Sequence, residues 1–388
     1  MINSKRLIIL TLMMPKGTCG VQTHFNAIAE YARFNNLQVG IINPFQYNRL
    51  TRRVSGAIGR LLNFLNLEVA VLIDRLFTQI YLRSMLKKEL IYSEKRGEDV
   101  VIYSQDPLSA SVAINLRKSG FIFRLVNVVH FNISEASEYV EKRIALQGGM
   151  LWRSLMANEK SALTQLDQII FVSNFMQQVV SSRLPELSKV PQTVIWNFPL
   201  EEQQKSNEVV LVQSDIISIG TLEPRKNQSF LLKALSECNL MGKRYTLNII
   251  GDGPDRQILE QQARQLGVAQ QVRFFGYQPD AARFIYGSRV FLHSSKMENL
   301  PIVLLEALRV GVPVFAAEVG GIAEVFDDGK EGYYLNLDDP RDAALKLISV
   351  LDNYHKWQQM SAHATKTFVS CFHPDVLGPR WISTLLGS

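Results

Sequence analysis

Short apolar runs alternate with stretches of helical spacing along almost the whole chain. Residues 6–13 form the first apolar run; Pro15-Lys16-Gly17-Thr18-Cys19-Gly20 follows, and then Phe25, Ile28, Ala29 and Ala32 recur on one helical face. Strand, glycine loop and helix therefore follow one another. Residues 37–42 predict a second strand, 100–103 and 123–129 two more with a helix over 108–118 between them, and 169–172 and 193–196 the last of a first half. A polar, aperiodic segment at 201–208 reads as a linker. Beyond it the alternation resumes: strands at 216–220, 247–250, 272–275 and 289–293, a helix after 227 with Phe230, Leu231, Ala234 and Leu235 on its apolar face, and helix from 339 to 367. Two consecutive halves of alternating strand and helix predict an α/β protein with two Rossmann-like domains built on parallel sheets. Ligands are expected between them, at the carboxyl ends of strands facing across a cleft.

One stretch breaks the regularity. Between 44 and 99, Leu50, Val54, Ile58, Leu61, Leu62 and Leu65 keep helical spacing, and Arg49, Arg52, Arg53 and Arg60 add positive charge. That pattern suits a basic amphipathic helix, either lying in an anionic bilayer interface or packed on its own domain. Residues 69–90 continue as a second surface or membrane-facing helix whose Asp74, Arg75 and Arg83 argue against spanning.

Composition narrows the class. The chain has 388 residues, 47% hydrophobic and 20% charged, which is ample for two packed domains and argues against disorder. A net charge of +6 without basic residues interleaved with aromatics predicts no nucleic acid partner, while suiting nucleotide phosphates and anionic lipid. Cys19, Cys238 and Cys371 match neither a zinc spacing nor a disulfide framework, so the expected setting is the reducing cytoplasm. Lys5 and Arg6 before an apolar run imitate a short signal peptide, but the continuation favours a strand.

The candidate chemistry gathers around Glu298. The strand at 289–293 is followed by a polar turn and then, after Pro301, by a helix holding Val303, Leu304, Ala307 and Leu308. A helix start beside the carboxyl end of a parallel strand offers free N–H groups and a positive dipole end to a phosphate. Glu298 stands on the turn and Glu306 further along the helix among apolar neighbours, where a carboxylate needs a polar partner. Arg225 and Lys226 follow the strand at 216–220, placing two cations at another strand's carboxyl end. His130 ends the strand at 123–129, in the position where such sheets bind ligands.

Glu298 and Glu306 with seven residues between, then Ala307, Gly311, Pro313-Val314, Gly320-Gly321 and Gly332-Tyr333, resemble the carboxyl-terminal signature of the family four retaining glycosyltransferases. The resemblance covers nearly all of the second half; in the first it rests on Gly20, His130 and the general order. It implies the glycosyltransferase B fold, with an acceptor-binding domain at 1–200, a nucleotide-sugar-binding domain at 209–367, and a tail at 368–388 that crosses back to the first domain. By the same resemblance Glu298 contacts the donor sugar, with Asn299 and Leu300 beside it, and Glu306 the ribose hydroxyls. Lys226 binds the donor diphosphate, with Arg225 either supplying the second charge or that charge missing; Tyr277 lies at the nucleobase, Gly20 at the donor phosphates and acceptor, and His130 near the donor sugar and acceptor. Two departures stand out: Asn299 replaces the family's usual glycine, and Thr221 an arginine common after the strand glycine.

The activity implied is retaining transfer of a hexose from a UDP- or GDP-sugar to a hydroxyl. Neither an Asp-x-Asp motif nor a histidine cluster occurs, so no metal or other cofactor is expected. The basic stretch points to a lipid-linked saccharide acceptor at the cytoplasmic face of the inner membrane, as in surface polysaccharide or lipopolysaccharide assembly. A nucleotide-sugar epimerase and a catalytically inactive nucleotide-sugar-binding scaffold are the competing readings.

Overall fold

The computed structural model describes residues 5–15, 17, 19–48, 66–199 and 213–387. They divide into two compact units, Met1–Trp196 with Leu377–Ser388, and Asn197–Val376. The basic helical pattern at 50–65 and the linker at 201–208 lie outside the described residues.

In the first unit six strands, β1 (Lys5–Leu10), β2 (Gln38–Ile42), β3 (Asp99–Ser104), β4 (Arg124–Val129), β5 (Gln168–Phe171) and β6 (Gln192–Val194), form one sheet. All pairs are parallel, in the order β2-β1-β3-β4-β5-β6. Leu7, Ile8, Ile9 and Leu10 are all fully buried, because a parallel sheet carries helices on both faces and its strands must be apolar throughout. The connections hold α1 (Gly20–Phe34), α2 (Leu67–Lys95), α3 (Pro107–Arg117), α4 (Glu135–Glu141), α5 (Met150–Leu163) and α6 (Asn174–Arg183). β1 stops three residues short of the expected 6–13. Thr11 N–H donates to Ile42 O, and the chain then leaves the sheet with Met13 and Met14 turned to solvent.

Helix α2 outruns its pattern of 69–90 because Asn66 caps it, its side chain accepting from Val69 N–H at 3.2 Å. Tyr81, Leu82, Leu86 and Leu90 are buried, and the helix packs on α3 and α5. Arg75 turns inward to Glu135 through two bonds of 2.6 and 3.1 Å. One face of α2 is therefore a structural layer of the unit, while Leu76 and Ile80 are exposed on the other. Among the described residues, no helix is long and apolar enough to cross a membrane.

The second unit holds β7 (Ser214–Ile219), α7 (Gln228–Leu240), β8 (Leu247–Ile250), α8 (Arg256–Gln265), β9 (Val272–Phe274) and β10 (Ser288–His293). It continues with α9 (Ile302–Arg309), β11 (Val314–Ala317), β12 (Gly332–Leu335), α10 (Pro340–Leu351) and α11 (Tyr354–Thr367). The sheet is again parallel, in the order β12-β11-β10-β7-β8-β9. β8 and β9 extend from β7 to one side and β10 to the other. The loops leaving β7 and β10 thus diverge at a topological switch point, the usual place for a ligand in such sheets. The helix expected over 339–367 is two, because Asn353 caps α11 by accepting from Lys356 N–H, and Asp352 before it takes the Tyr245 hydroxyl at 2.7 Å.

The last helix, α12 (Pro374–Leu386), contributes Trp381 to the first unit. Its indole is fully buried, lies against Tyr103 and His24, and donates to Trp196 O at 3.0 Å. Arg124 holds the same helix end through Leu385 O and Thr384 O.

Candidate active site

The switch point of the second unit is built by two loops laced together. Gly251 lets β7 and β8 end side by side: it has φ +138°, and a Cβ there would sit 2.0 Å from Gly220 O. The loop after β7 turns through Glu223, whose carbonyl accepts Lys226 N–H, and reaches α7 through Asn227 in the left-handed region. The loop after β10 is tied to it. Ser294 Oγ donates to Lys226 O and Asn227 O at 3.0 and 2.8 Å, and Lys296 N–H to Arg225 O at 2.9 Å. The carbonyls of Arg225, Lys226 and Asn227 are thereby satisfied.

At the centre is Glu298, whose side chain is only 9% exposed. Lys226 Nζ lies 2.5 Å and His293 Nε2 3.0 Å from its Oε1, and Arg225 Nη1 lies 3.7 Å from its Oε2. Burial by itself would raise the Glu298 carboxyl. The Lys226 ammonium first, then His293 and Arg225, outweigh burial and hold it well below the usual carboxylate range. Burial lowers the His293 imidazole, Glu298 opposes that, and Lys226 and Arg225 add to the lowering. A carboxylate can only accept, so the neutral ring carries its hydrogen on Nε2. Arg225 is held besides by Glu223 Oε1 and Met297 O, each at 3.0 Å.

The backbone at Glu298 has an equally tight requirement. Gly320 has φ +60°, and a Cβ on it would stand 1.8 Å from Glu298 O, which also accepts Gly321 N–H. The expected Gly320-Gly321 pair is thus packed directly beneath the turn. Asn299 and Leu300 are buried, and Leu300 O accepts from Asn197 Nδ2 at 3.1 Å. Asn197, expected to close the first domain, belongs to the second unit. Helix α9 begins at Ile302, with Pro301 before it supplying no capping side chain, and Glu306 sits on it, partly buried between Leu305 and Ala307. Tyr277 follows Gly276 in the loop after β9 and is more than half exposed.

In the first unit, Gly20 opens α1 with open space where a side chain would be. His130 follows β4, and its Nε2 lies 3.0 Å from Gln105 Oε1. Burial, and secondarily His24, hold its imidazole well below the ordinary range, so it is neutral. His24 packs edge-on to His130 and bonds the Tyr103 hydroxyl at 2.6 Å.

Of the residues singled out from the sequence, the structure joins Glu298, Lys226 and Arg225 by direct contact; His130 and Gly20 belong to the other unit. Sequence reasoning missed His293, Ser294, His24 and Gln105. His293 had a usable signal, since it ends a parallel strand just as His130 follows one.

Residues 200–367 match the family described as glycosyl transferases group 1. The chain is 37% identical over 108 residues to the Vi polysaccharide biosynthesis protein VipC/TviE of Salmonella typhi, covering 26% of this chain and 19% of that one. It is 28% identical over 170 residues to the lipopolysaccharide core biosynthesis glycosyltransferase LpsE of Rhizobium meliloti, covering 44% and 49%. The matched part thus spans half or less of these relatives. HepE of Anabaena in complex with UDP-glucose superposes with a TM-score of 0.66 over 98% of this chain and 100% of that one, at 16% identity. The two doubly wound sheets are those of the glycosyltransferase B fold.

Proposed function

We propose, from the premise that residues 200–367 belong to the glycosyl transferases group 1 family, that this chain transfers a sugar from a nucleotide diphosphate sugar to a hydroxyl in cell-surface polysaccharide or lipopolysaccharide assembly. The observation that carries the reading is the meeting of Lys226, Arg225 and Glu298 at the second sheet's switch point. An ammonium and a guanidinium there suit a diphosphate leaving group, whose growing charge they would offset in the transition state. A buried carboxylate within reach of the same place suits a sugar hydroxyl, and Glu306 on α9 the ribose. The transfer is read as retaining, with leaving phosphate and incoming hydroxyl on one face of an oxocarbenium-like sugar. Glu298 then orients the sugar and is not a nucleophile. We read the reaction as metal independent, because the two cations supply the charge a metal would otherwise bring.

Relatives named for Vi polysaccharide and lipopolysaccharide core biosynthesis support a saccharide acceptor. A lipid-linked one, met at the inner face of the cytoplasmic membrane, agrees with Leu76 and Ile80 exposed beside Arg83 and Lys87 on α2. The first unit, with His130, is assigned to that acceptor. A thermal-shift panel of UDP-, GDP- and ADP-sugars on the wild type, Lys226→Ala and Glu306→Ala tests the donor site. Ligand at a hundred times its dissociation constant stabilises the fold by about 2.7 kcal/mol. One nucleotide class should shift the wild type and neither variant; no shift with any donor would overturn the reading.

A further inference from the structure

The Lys226 ammonium sits on Glu298 at 2.5 Å, with the lysine side chain 17% exposed. A diphosphate bound at this switch point must draw that ammonium away from Glu298. The carboxylate would then lose its nearest cation while remaining buried, a costly state for any charge. Arg225 is 3.7 Å away and already shared between Glu223 and Met297 O. The group left on Glu298 is His293, 3.0 Å away and almost wholly buried.

We propose that His293 is a positioning residue that takes up a proton when Lys226 passes from Glu298 to the donor's phosphates, and so holds the Glu298 carboxylate in place for the sugar. The inference rests on the reading of this site as a nucleotide diphosphate sugar site. No covalent bond to carbon or phosphorus changes. Nε2–H stays on Glu298, solvent supplies a proton to Nδ1, and the proton returns when product leaves and Lys226 comes back. The charged groups facing His293 are Glu298 from its own loop, and Lys226 and Arg225 from the loop after β7. Along its own strand the neighbouring ring is the uncharged Phe291. Moving Lys226 toward phosphate removes a nearby cation and adds negative charge, and both changes favour imidazolium.

The test is calorimetric titration of UDP, GDP and ADP into the full chain near pH 8, in buffers of differing ionisation enthalpy, with the wild type, His293→Gln and His293→Asn. Near pH 8 the nucleotide phosphates are already ionised and release few protons. The wild type should take up a substantial fraction of one proton per bound nucleotide, and its affinity should weaken by up to roughly tenfold per pH unit on the alkaline side. His293→Gln keeps an amide donor toward Glu298 and His293→Asn, being shorter, does not; both should bind without proton uptake and with a flat pH profile. Binding by the wild type with no proton uptake overturns this inference alone. Equal uptake by wild type and a variant that binds does the same. Failure of all three nucleotides to bind removes the donor-site reading as well.

Discussion

Replacing Lys226 by alanine leaves Glu298 buried, with His293 at 3.0 Å and Arg225 at 3.7 Å as its remaining partners. Coulomb's law at an effective dielectric constant of about 20 gives roughly 7 kcal/mol for unit charges at the 2.5 Å separation found here. Relief of lysine desolvation and the two remaining partners return part of that. The expected loss is about 3 kcal/mol, the low end for breaking a buried pair. For a unit of this size such a loss lowers the melting temperature by roughly 6–12 °C. Differential scanning calorimetry at pH 7.5 measures it on the second unit's transition.

The sign with pH is fixed by the carboxyl. In the wild type its folded value is depressed, so its stabilisation is present above the unfolded value near 4.5 and is lost as pH falls through the folded one. In Lys226→Ala the carboxyl loses the neighbour that lowers it most and rises from that depressed value, so the penalty is full at neutral pH and fades on acidification. Adding Glu298→Gln should recover most of the loss at pH 7.5, because no uncompensated charge remains. A penalty independent of pH, or a double variant as unstable as the sum of the singles, would refute the reasoning.

Two further outcomes follow from the geometry. Gly320→Ala places a methyl against Glu298 O and forces alanine to φ +60°, so it should destabilise the second unit by more than about 1 kcal/mol and weaken nucleotide-sugar binding, read together by thermal shift with and without donor. Asp106 caps α3 at Ser109 N–H, and burial pushes its carboxyl up to about 6, with Glu135 adding to the rise and Ser109 and Arg75 opposing it. Asp106→Asn keeps the cap, so it should be more stable than the wild type at pH 8 and lose that advantage as pH falls from about 6 toward 4, where the folded wild type holds the proton that its unfolded chain lacks. Urea titrations at pH 8 and pH 5 check this.

Local pattern made much of the architecture legible. The run of buried residues in β1, the glycines at 251 and 320, and the strand, turn and helix around Glu298 each come from a few adjacent residues whose spacing permits one geometry. Where a side chain stopped an element, pattern was less reliable. Asn66 lengthens α2 and Asn353 divides the helix expected over 339–367. A cap is a contact, and periodicity does not encode it.

By itself the sequence determined that two parallel α/β sheets form, that a cationic loop follows one strand and a carboxylate turn follows another, and that a glycine pair stands at 320–321. These are consequences of burial on both faces of a parallel strand and of backbone angles that only glycine tolerates. The tertiary structure alone decided that the cation and carboxylate meet, since Lys226 and Glu298 are 72 residues apart and touch because β10 pairs with β7. It also decided that His293 faces Glu298, that Asn197 supports Leu300, and which groups Trp381 meets in the first unit. Strand order sets these contacts through the summed packing of whole layers, so the short-range pattern around each residue carries no trace of them.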